Sequence, residues 1–523
     1  MLVKIHKFDW KDILPWLIVM VGATVRLYRL DFQSLWYDEG LQYVVASTNN
    51  PLDLFRQLKS FHPPLSFLIN HLFLVIHDSD FFLRLPSVLF GIGSLPLSYI
   101  VANQLTSKRV AIFTLIVFAI SPLHVWYSQD GRMYAQLVFF VLLSTVFLLK
   151  AVQDARLRWW IFYTLAATAG MYTHVFMAIA VIVQCGWVIM CERRHLVSVA
   201  ASTIAVGVLF LPWVLFLPWV ERFFRTLSSG SMGGGSSFGG RAGFSWDALA
   251  YTFFVYSAGF SLGPTVTELH ENRSVEFIMQ YLPVIVVVAA IFGPLLLAGM
   301  YTIIKRYDVR TVGLCFLGLS IPIIAVMAYS LTARGTYNVR YSIVAVPFFC
   351  IFLGTALAWL NGKNKFVGAA ALLAVLGVST ASLSNYFSNP RYAKEDVRSA
   401  VQFWRHTSNG EPLLSFGSGH TSRRYLVASE ANRHFVIGGK DVVLSIEQSL
   451  SGYGTTSAYV LLARDWNQAR EKSIRGAFTI QKEQTYPGVK MLRISSPDGS
   501  PLSLVKSSVS HGNETAATLT GAY

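Results

Sequence analysis

Three short stretches of this 523-residue chain bear side chains suited to acid–base and anion chemistry. WYDEG, residues 36–40, sets two adjacent carboxylates, Asp38 and Glu39, beside Trp36 and Tyr37. FHPPL, residues 61–65, places His62 before two prolines. YSQDGRMY, residues 127–134, gathers Asp130, Arg132 and Tyr134. His174, Arg334, Arg340 and Tyr341 complete the candidate set. A carboxylate can take the proton of an attacking hydroxyl. Arginines can hold an anionic leaving group and the charge that develops on it. Aromatic rings can stack on a sugar. Together the residues suit displacement at a sugar carbon. Each charged residue alone also fits a solvated or ion-paired helix end. Asp38 fits that description worst, because paired carboxylates between aromatics are a poor structural device.

The elements that must position these residues are set by composition. The chain is 53% hydrophobic and 14% charged, with a mean hydropathy of +0.47. A soluble domain carries about 25% charged residues, so this chain reads as one dissolved mostly in lipid. The formal net charge is +15. Its basic residues cluster between apolar runs, the topology signal of a membrane protein, which argues against nucleic acid as the partner. The four cysteines, Cys185, Cys191, Cys315 and Cys350, lie in or beside apolar runs without metal-ligand spacing and read as packed thiols.

An apolar run from Ile13 to Leu30 follows Lys4, Lys7 and Lys11. With no small-residue cleavage site after it, it reads as an uncleaved first span with a cytoplasmic N-terminus. Arg26 and Arg29 at its outer end face either the headgroups or a polar cavity. Residues 31–80 form a first outer loop. Within it, Leu65, Leu68, Ile69, Leu72, Phe73 and Ile76 share one helical face, with Ser66 and Asn70 off that stripe. A helix over 63–76 is about 21 Å long, too short for a hydrocarbon core of about 30 Å, and is expected to lie in the interface.

Ten further spans are expected at 81–104, 108–126, 133–151, 158–173, 175–191, 197–217, 276–304, 311–331, 340–360 and 365–384, eleven in all. The turns then predicted inside carry Lys108/Arg109, Arg156/Arg158, Arg193/Arg194, Lys305/Arg306/Arg310 and Lys363/Lys365. A second long outer loop covers 218–275, and its Gly/Ser run at 228–243 lacks the GxxxxGK[ST] pattern of a phosphate loop. Residues 1–384 thus form a helical membrane domain, and 385–496 an outer α/β domain. In that domain a helix over 392–407 precedes strands near 412–416, 434–438, 458–463 and 489–494. The Ser/Thr/Gly-rich residues 497–523 are expected to be disordered.

The ordered motifs SLWYDEG, HPPL, FFLRLPSVLFG, SPLHVWYSQDGRMYAQ and MYTHVF resemble those of the C-type (GT-C) integral-membrane glycosyltransferases that use polyprenyl-phosphate sugars. The chain is most similar to the bacterial branch related to protein O-mannosyltransferases and lipid A aminoarabinose transferases. The likeness is best over residues 1–185 and returns at 338–347 and 389–401. It implies an all-α polytopic domain with interfacial helices in the first outer loop, an extracytoplasmic α/β domain, and a place in the inner (cytoplasmic) membrane. It implies sugar transfer from a polyprenyl-phosphate donor to a protein, lipid A/core or envelope polysaccharide acceptor, with inversion. The family's first acidic motif maps onto Asp38 and Glu39, with Asp38 as base, and its second acidic position onto Asp130. Donor and acceptor contacts are implied for His62, Arg132, Tyr134, His174, Arg340 and Tyr341. His62 and His174 stand where the aminoarabinose branch has lysines, which makes Arg340 the candidate phosphate cation. No cofactor is assigned, and a divalent metal stays open. A transporter or flippase of lipid-linked sugars is the alternative of another class, and a non-catalytic subunit of envelope polysaccharide assembly is a second.

Overall fold

A computed structural model of the chain describes residues 10–48, 50–58, 62–216, 246–272, 274–331, 337–439 and 441–502. The Gly/Ser run at 228–243, Arg334 and residues 503–523 lie outside the described residues. Contacts divide the chain into two compact units. One comprises Met1–Gln33 and Leu41–Ala393, the other Ser34–Gly40 and Lys394–Tyr523.

The first unit is helical. Its N-terminal part runs α1 (Trp10–Leu27), then α2 (Tyr37–Ala46), whose residues from Leu41 belong to this unit, α3 (Pro51–Gln57), α4 (Leu65–Ile76), α5 (Asp80–Leu105), α6 (Lys108–Ala119) and α7 (Pro122–Ser128). It continues with α8 (Tyr134–Asp154), α9 (Leu157–Thr173), α10 (Met177–Cys191), α11 (Leu196–Phe216), α12 (Trp246–Ala258), α13 (Val266–Glu271) and α14 (Val275–Met279). The last four are α15 (Leu282–Arg306), α16 (Val309–Ser330), α17 (Val346–Lys363) and α18 (Lys365–Ser388). Ser79, Ser107, Asp308 and Asn364 accept backbone N–H bonds at the starts of α5, α6, α16 and α18, satisfying donors that a helix start leaves free.

The chain is a multi-pass integral membrane protein. Seven helical segments among the described residues are long and apolar enough to cross a bilayer: Asp80–Leu105, Tyr134–Asp154, Arg193–Phe216, Leu282–Arg306, Val309–Ser330, Val339–Lys363 and Lys365–Ser388. An eighth forms if α6 and α7, bent by 58° at their junction, count as one. Every segment expected to span is helical, but α1, α9 and α10 fall short of these criteria, so they support fewer than the eleven spans expected.

The bend has a cause. Pro122 has no N–H to give the preceding turn, and the break leaves carbonyls of α6 short of helical donors. The Arg26 guanidinium supplies them. Its Nη1 donates to Ala119 O at 2.7 Å and to Gly22 O at 2.9 Å, and its Nη2 donates to Phe118 O at 3.3 Å. Arg26 is therefore a buried cap for a broken helix, rather than a side chain reaching for headgroups.

Helix α4 has the residues expected, with its faces assigned to different surroundings than in a soluble protein. Ser66, Phe67, Asn70, His71 and Leu74 are buried, whereas Leu72, Val75 and Ile76 are exposed. Asn70 donates to Leu83 O at 2.6 Å, Gln42 donates to Ser66 Oγ at 3.3 Å, and His71 Nδ1 meets Ala46 O at 2.8 Å. The polar face packs against protein because its hydrogen bonds are met there. The apolar stripe is left outward, the arrangement a lipid surround favours.

The second unit is a five-stranded mixed sheet in the order β2-β1-β3-β5-β4. Its strands are β1 (Leu413–Phe416), β2 (His434–Ile437), β3 (Ser457–Ala463), β4 (Thr479–Tyr486) and β5 (Val489–Ser495). β1 pairs in parallel with β2 and β3, and β5 pairs antiparallel with β3 and β4. Both faces are covered. Val397, Val401 and Trp404 of α19 (Val397–Thr407) pack with Leu413, Tyr459 and Leu461 on one. Leu414, Phe416, Val460 and Leu492 pack with Val442 and Ile446 of α21 (Val442–Ser449) on the other. Two short helices complete the unit, α20 (Gly419–Tyr425) and α22 (Ala469–Ala477).

The four expected strands are present, and β4 is an addition. Its sequence, TIQKEQTY, lies largely exposed at the sheet edge, so it has no apolar alternation to announce it, and charged edge residues discourage further pairing. Disorder from residue 497 is not what residues 497–502 show. Leu502 is buried in the core, and its N–H donates to Thr455 O at 2.8 Å.

Candidate active site

In the first unit the chain folds five separate stretches, around Gln42, His62, Arg132, His174 and Arg340, into one cluster. The loop after α7 is pinned from two sides. Gln129 Nε2 donates to Arg26 O at 2.9 Å and Tyr28 O at 2.8 Å, and Ser87 Oγ donates to Arg132 O at 2.9 Å. Arg84 donates to Leu30 O and Gln33 O, both at 2.9 Å, fixing the chain that leaves α1. Asp130 is fully buried in that loop and Arg132 nearly so.

The Arg132 guanidinium reaches Gln42 Oε1 at 3.2 Å and His62 Nε2 at 3.4 Å. The His62 and His174 rings lie 5.7 Å apart, and the Tyr134 ring is 5.7 Å from His174. The Arg340 guanidinium lies over the rings of Tyr134 and Tyr341, at 5.7 and 5.4 Å, and Phe176 bridges His174 and Tyr341 at 4.5 and 4.9 Å. Six residues read from the sequence as binding groups, His62, Arg132, Tyr134, His174, Arg340 and Tyr341, thus form one cluster.

The imidazoles are neutral, and their tautomers follow from their partners. The Phe176 N–H donates to His174 Nδ1 at 3.1 Å, which leaves the His174 proton on Nε2. Arg132 can only donate, so His62 accepts at Nε2 and carries its proton on Nδ1, a buried donor with no hydrogen-bond partner. Burial, with the Arg132 and Arg340 guanidiniums adding to it, pushes His62 down to about 3. Burial likewise holds His174 well below the usual imidazole range, helped by His62 and both arginines. Two guanidiniums beside neutral N–H donors make a place for an anion. Among the described residues no three His, Cys, Asp or Glu side chains are grouped to hold a metal ion, and the guanidiniums would repel one.

This burial has a consequence for acid stability. The unfolded chain binds more protons than the folded one between about pH 6.5 and about pH 3 at His62, so stability rises with pH across that window and is lost as pH falls through it. Wild-type protein in detergent is expected to lose thermal stability from pH 7 to pH 4, and His62→Asn to lose less. Equal losses in melting temperature for the two would contradict a neutral, buried His62.

The acidic motif sits in the second unit. Glu39 is fully buried. Its Oε2 accepts from Lys394 Nζ at 3.3 Å and from the Trp36 N–H at 3.4 Å, so it closes the first turn of α2 from within, one half of a capping box. The Tyr37 N–H donates to Glu395 Oε2 at 3.1 Å, and Arg464 Nε donates to Glu395 Oε1 at 2.7 Å. The Leu35 N–H donates to Tyr425 Oη at 2.7 Å, and Thr421 Oγ1 donates to Trp36 O at 3.4 Å. Asp38 is half-buried between these contacts. Sequence reasoning did not single out Gln42, Phe176, Lys394, Glu395 or Arg464. Lys394 and Glu395 do lie inside NPRYAKEDVRSAV, residues 389–401, a stretch that carries the family likeness.

Residues 61–220 match the family described as dolichyl-phosphate-mannose-protein mannosyltransferase. The Bacillus subtilis (strain 168) protein YkcB, named as a mannosyltransferase, is 26% identical over 180 residues, covering 32% of this chain and 24% of that protein. The chain thus spans about a quarter of that relative's length. ArnT from Cupriavidus metallidurans, solved bound to undecaprenyl phosphate, shares the fold with a TM-score of 0.57 and 15% identity, over 91% of this chain and 97% of that one. The Archaeoglobus fulgidus oligosaccharyltransferase tethered to an acceptor peptide does so with a TM-score of 0.55 and 12% identity, over 95% and 75%. The fold is shared with these membrane glycosyltransferase structures, and the family match is confined to residues 61–220.

Proposed function

We propose that this protein moves one sugar from a polyprenyl-phosphate donor to an acceptor on the outer face of the cytoplasmic membrane, with inversion at the anomeric carbon. The observation that carries the reading is the convergence of Arg132 and Arg340 on the neutral His62–His174 pair. That cluster offers a lipid phosphate two cations and the buried Nδ1–H of His62.

A second feature fits the rest of such a donor. An open apolar cavity of about 580 Å³ is lined by Leu52, Phe55, Leu68 and Trp213 and by Pro64 and Tyr172, which lie two residues from His62 and His174 in sequence. An isoprenoid chain gains about 0.8 kcal/mol per CH₂ buried there. In ArnT the ligand is undecaprenyl phosphate, and we take the same chemistry for this chain.

Asp38 is the base that takes the acceptor proton. It lies half-buried in the first turn of α2, within the acidic motif that carries the family likeness. Glu39, read with Asp38 from the sequence, is fully buried and paired with Lys394 and the Trp36 N–H. Asp130 serves as the second acidic group of the site. The basic turns at 108–109, 193–194 and 305–310 support a cytoplasmic side for those turns and an outer side for the chemistry.

Mass spectrometry of envelope glycans tests the reading. A deletion strain should lack one sugar substituent that the complemented strain restores. An unchanged glycan profile, with lipid-linked sugar building up on neither side of the membrane, would sink it. A membrane-impermeant thiol reagent should leave a cysteine placed at Ser107 unlabelled in intact cells.

A further inference from the structure

We infer that Lys394, Glu395 and Arg464 are positioning residues for the transfer reaction, through which the C-terminal α/β unit sets the backbone that carries Asp38. The inference rests on the reading of Asp38 as base.

Two consecutive residues grip the two neighbours of Asp38. Glu395 accepts the N–H of Tyr37, the residue before it, and Lys394 pairs with Glu39, the residue after it. Both side chains of the Lys394–Glu39 pair are buried, at 3% and 0% exposure. A buried ion pair is a poor source of stability, because desolvation offsets most of its Coulomb gain. What it supplies is a defined geometry, since the pair tolerates few arrangements in which both charges stay satisfied.

Arg464 locks the arrangement from the end of β3. It bonds Glu395 and lays its guanidinium over Tyr37 at 4.5 Å and Trp36 at 5.6 Å. Its own backbone is left-handed, with φ of 59°, a conformation that costs a non-glycine residue and persists where the surroundings over-determine it. The far end of the motif is equally confined. A Cβ on Gly40 would come within 2.3 Å of Thr421 Oγ1 and 2.8 Å of Thr421 Cα, so only glycine fits. Leu35, Trp36, Tyr37 and Glu39 are thus each held by side chains of the unit, while Asp38 is flanked by held residues. A displacement of about 1 Å in a reacting group can cost on the order of 10²-fold in rate, and this clamp is built against such a displacement.

The test uses the full-length protein in detergent and a deletion strain complemented at matched expression. Three variants serve: Glu395→Ala; Arg464→Lys; and the neutral double variant Glu39→Gln/Lys394→Met, which removes the ion pair without stranding a charge. Hydrogen–deuterium exchange of a peptide covering residues 34–40 should speed up about tenfold or more in Glu395→Ala and in the double variant. Transfer in the strain should fall by about tenfold to a hundredfold, while binding of undecaprenyl phosphate stays within about twofold of wild type. Arg464→Lys keeps a cation for Glu395 but loses the planar contact with Tyr37 and should fall between. If Glu395→Ala does not fold, Arg464→Lys and the double variant carry the same readouts. Exchange that speeds up while transfer stays at the wild-type level would overturn the positioning role, and unchanged exchange would overturn the clamp itself. Loss of undecaprenyl phosphate binding in step with transfer would also overturn it, since that is general damage. Failure of the Asp38 reading shows separately, as wild-type transfer by Asp38→Asn with the exchange results intact.

Discussion

Asp38→Asn is expected to lower sugar transfer by about 10²–10⁴-fold, the usual worth of a general base, in protein that inserts and folds normally. Asn keeps the size and most of the hydrogen bonding of Asp but cannot take a proton. Asp38 lies in the first turn of α2, where losing a negative charge costs a helix about 0.3–1 kcal/mol, too little to unfold the unit. Binding of undecaprenyl phosphate should not weaken, because removing an anion cannot repel a phosphate. The measurement is glycan transfer by a strain carrying the variant at matched expression, with undecaprenyl phosphate binding to the purified protein alongside. Wild-type transfer would remove Asp38 as base. Loss of the protein itself would make Asp38 a structural residue.

The second large effect is expected at Arg340. Its guanidinium lies over Tyr134 and Tyr341, so the two rings aim it as well as attract it. Removing a charge-assisted bond to phosphate costs about 1.5–3 kcal/mol, so Arg340→Ala should weaken undecaprenyl phosphate binding by roughly 10- to 150-fold. Arg340→Lys should recover only part, since an ammonium offers neither the bidentate fork nor the flat face that stacks. Equal affinity in wild type and both variants would take Arg340 out of the phosphate site. The neutral imidazoles bear on the pH dependence. His62 is uncharged at neutral pH, so His62→Asn should cost less than Arg340→Ala at pH 7.

Much of this architecture was legible because lipid and water impose different patterns on the sequence. The stripe Leu65–Leu68–Ile69–Leu72–Phe73–Ile76 identified α4 by its period, and the apolar runs located each long helix. Which way a stripe faces was not legible. Periodicity alone treats apolar residues as inward, whereas in α4 Ser66, Asn70 and His71 face inward and meet their hydrogen bonds there. The bend between α6 and α7 left one local sign, Pro122, but its Arg26 partner lies 93 residues away from Ala119. At the site, the residues expected to bind were singled out by type and by likeness to a family. The contacts that set their protonation were not, because the neutrality of His62 and His174 comes from burial and two arginines brought together only by the fold. Lys394 and Glu395 read as ordinary charges ahead of a helix. Their work on Tyr37 and Glu39 spans more than 350 residues of sequence, beyond the reach of any local pattern.

That separation gives the protein a timetable. Glu39 leaves the ribosome 355 residues ahead of Lys394, an interval of about 20–70 s at roughly 5–20 residues per second of synthesis. Through it the acidic motif exists without the side chains that shape it, while helix after helix enters the bilayer. A nascent or prematurely ended chain that stops before Lys394 therefore has a carboxylate with nothing to aim it. A segment made hundreds of residues later completes this motif, so it is assembled only in chains translated beyond Arg464.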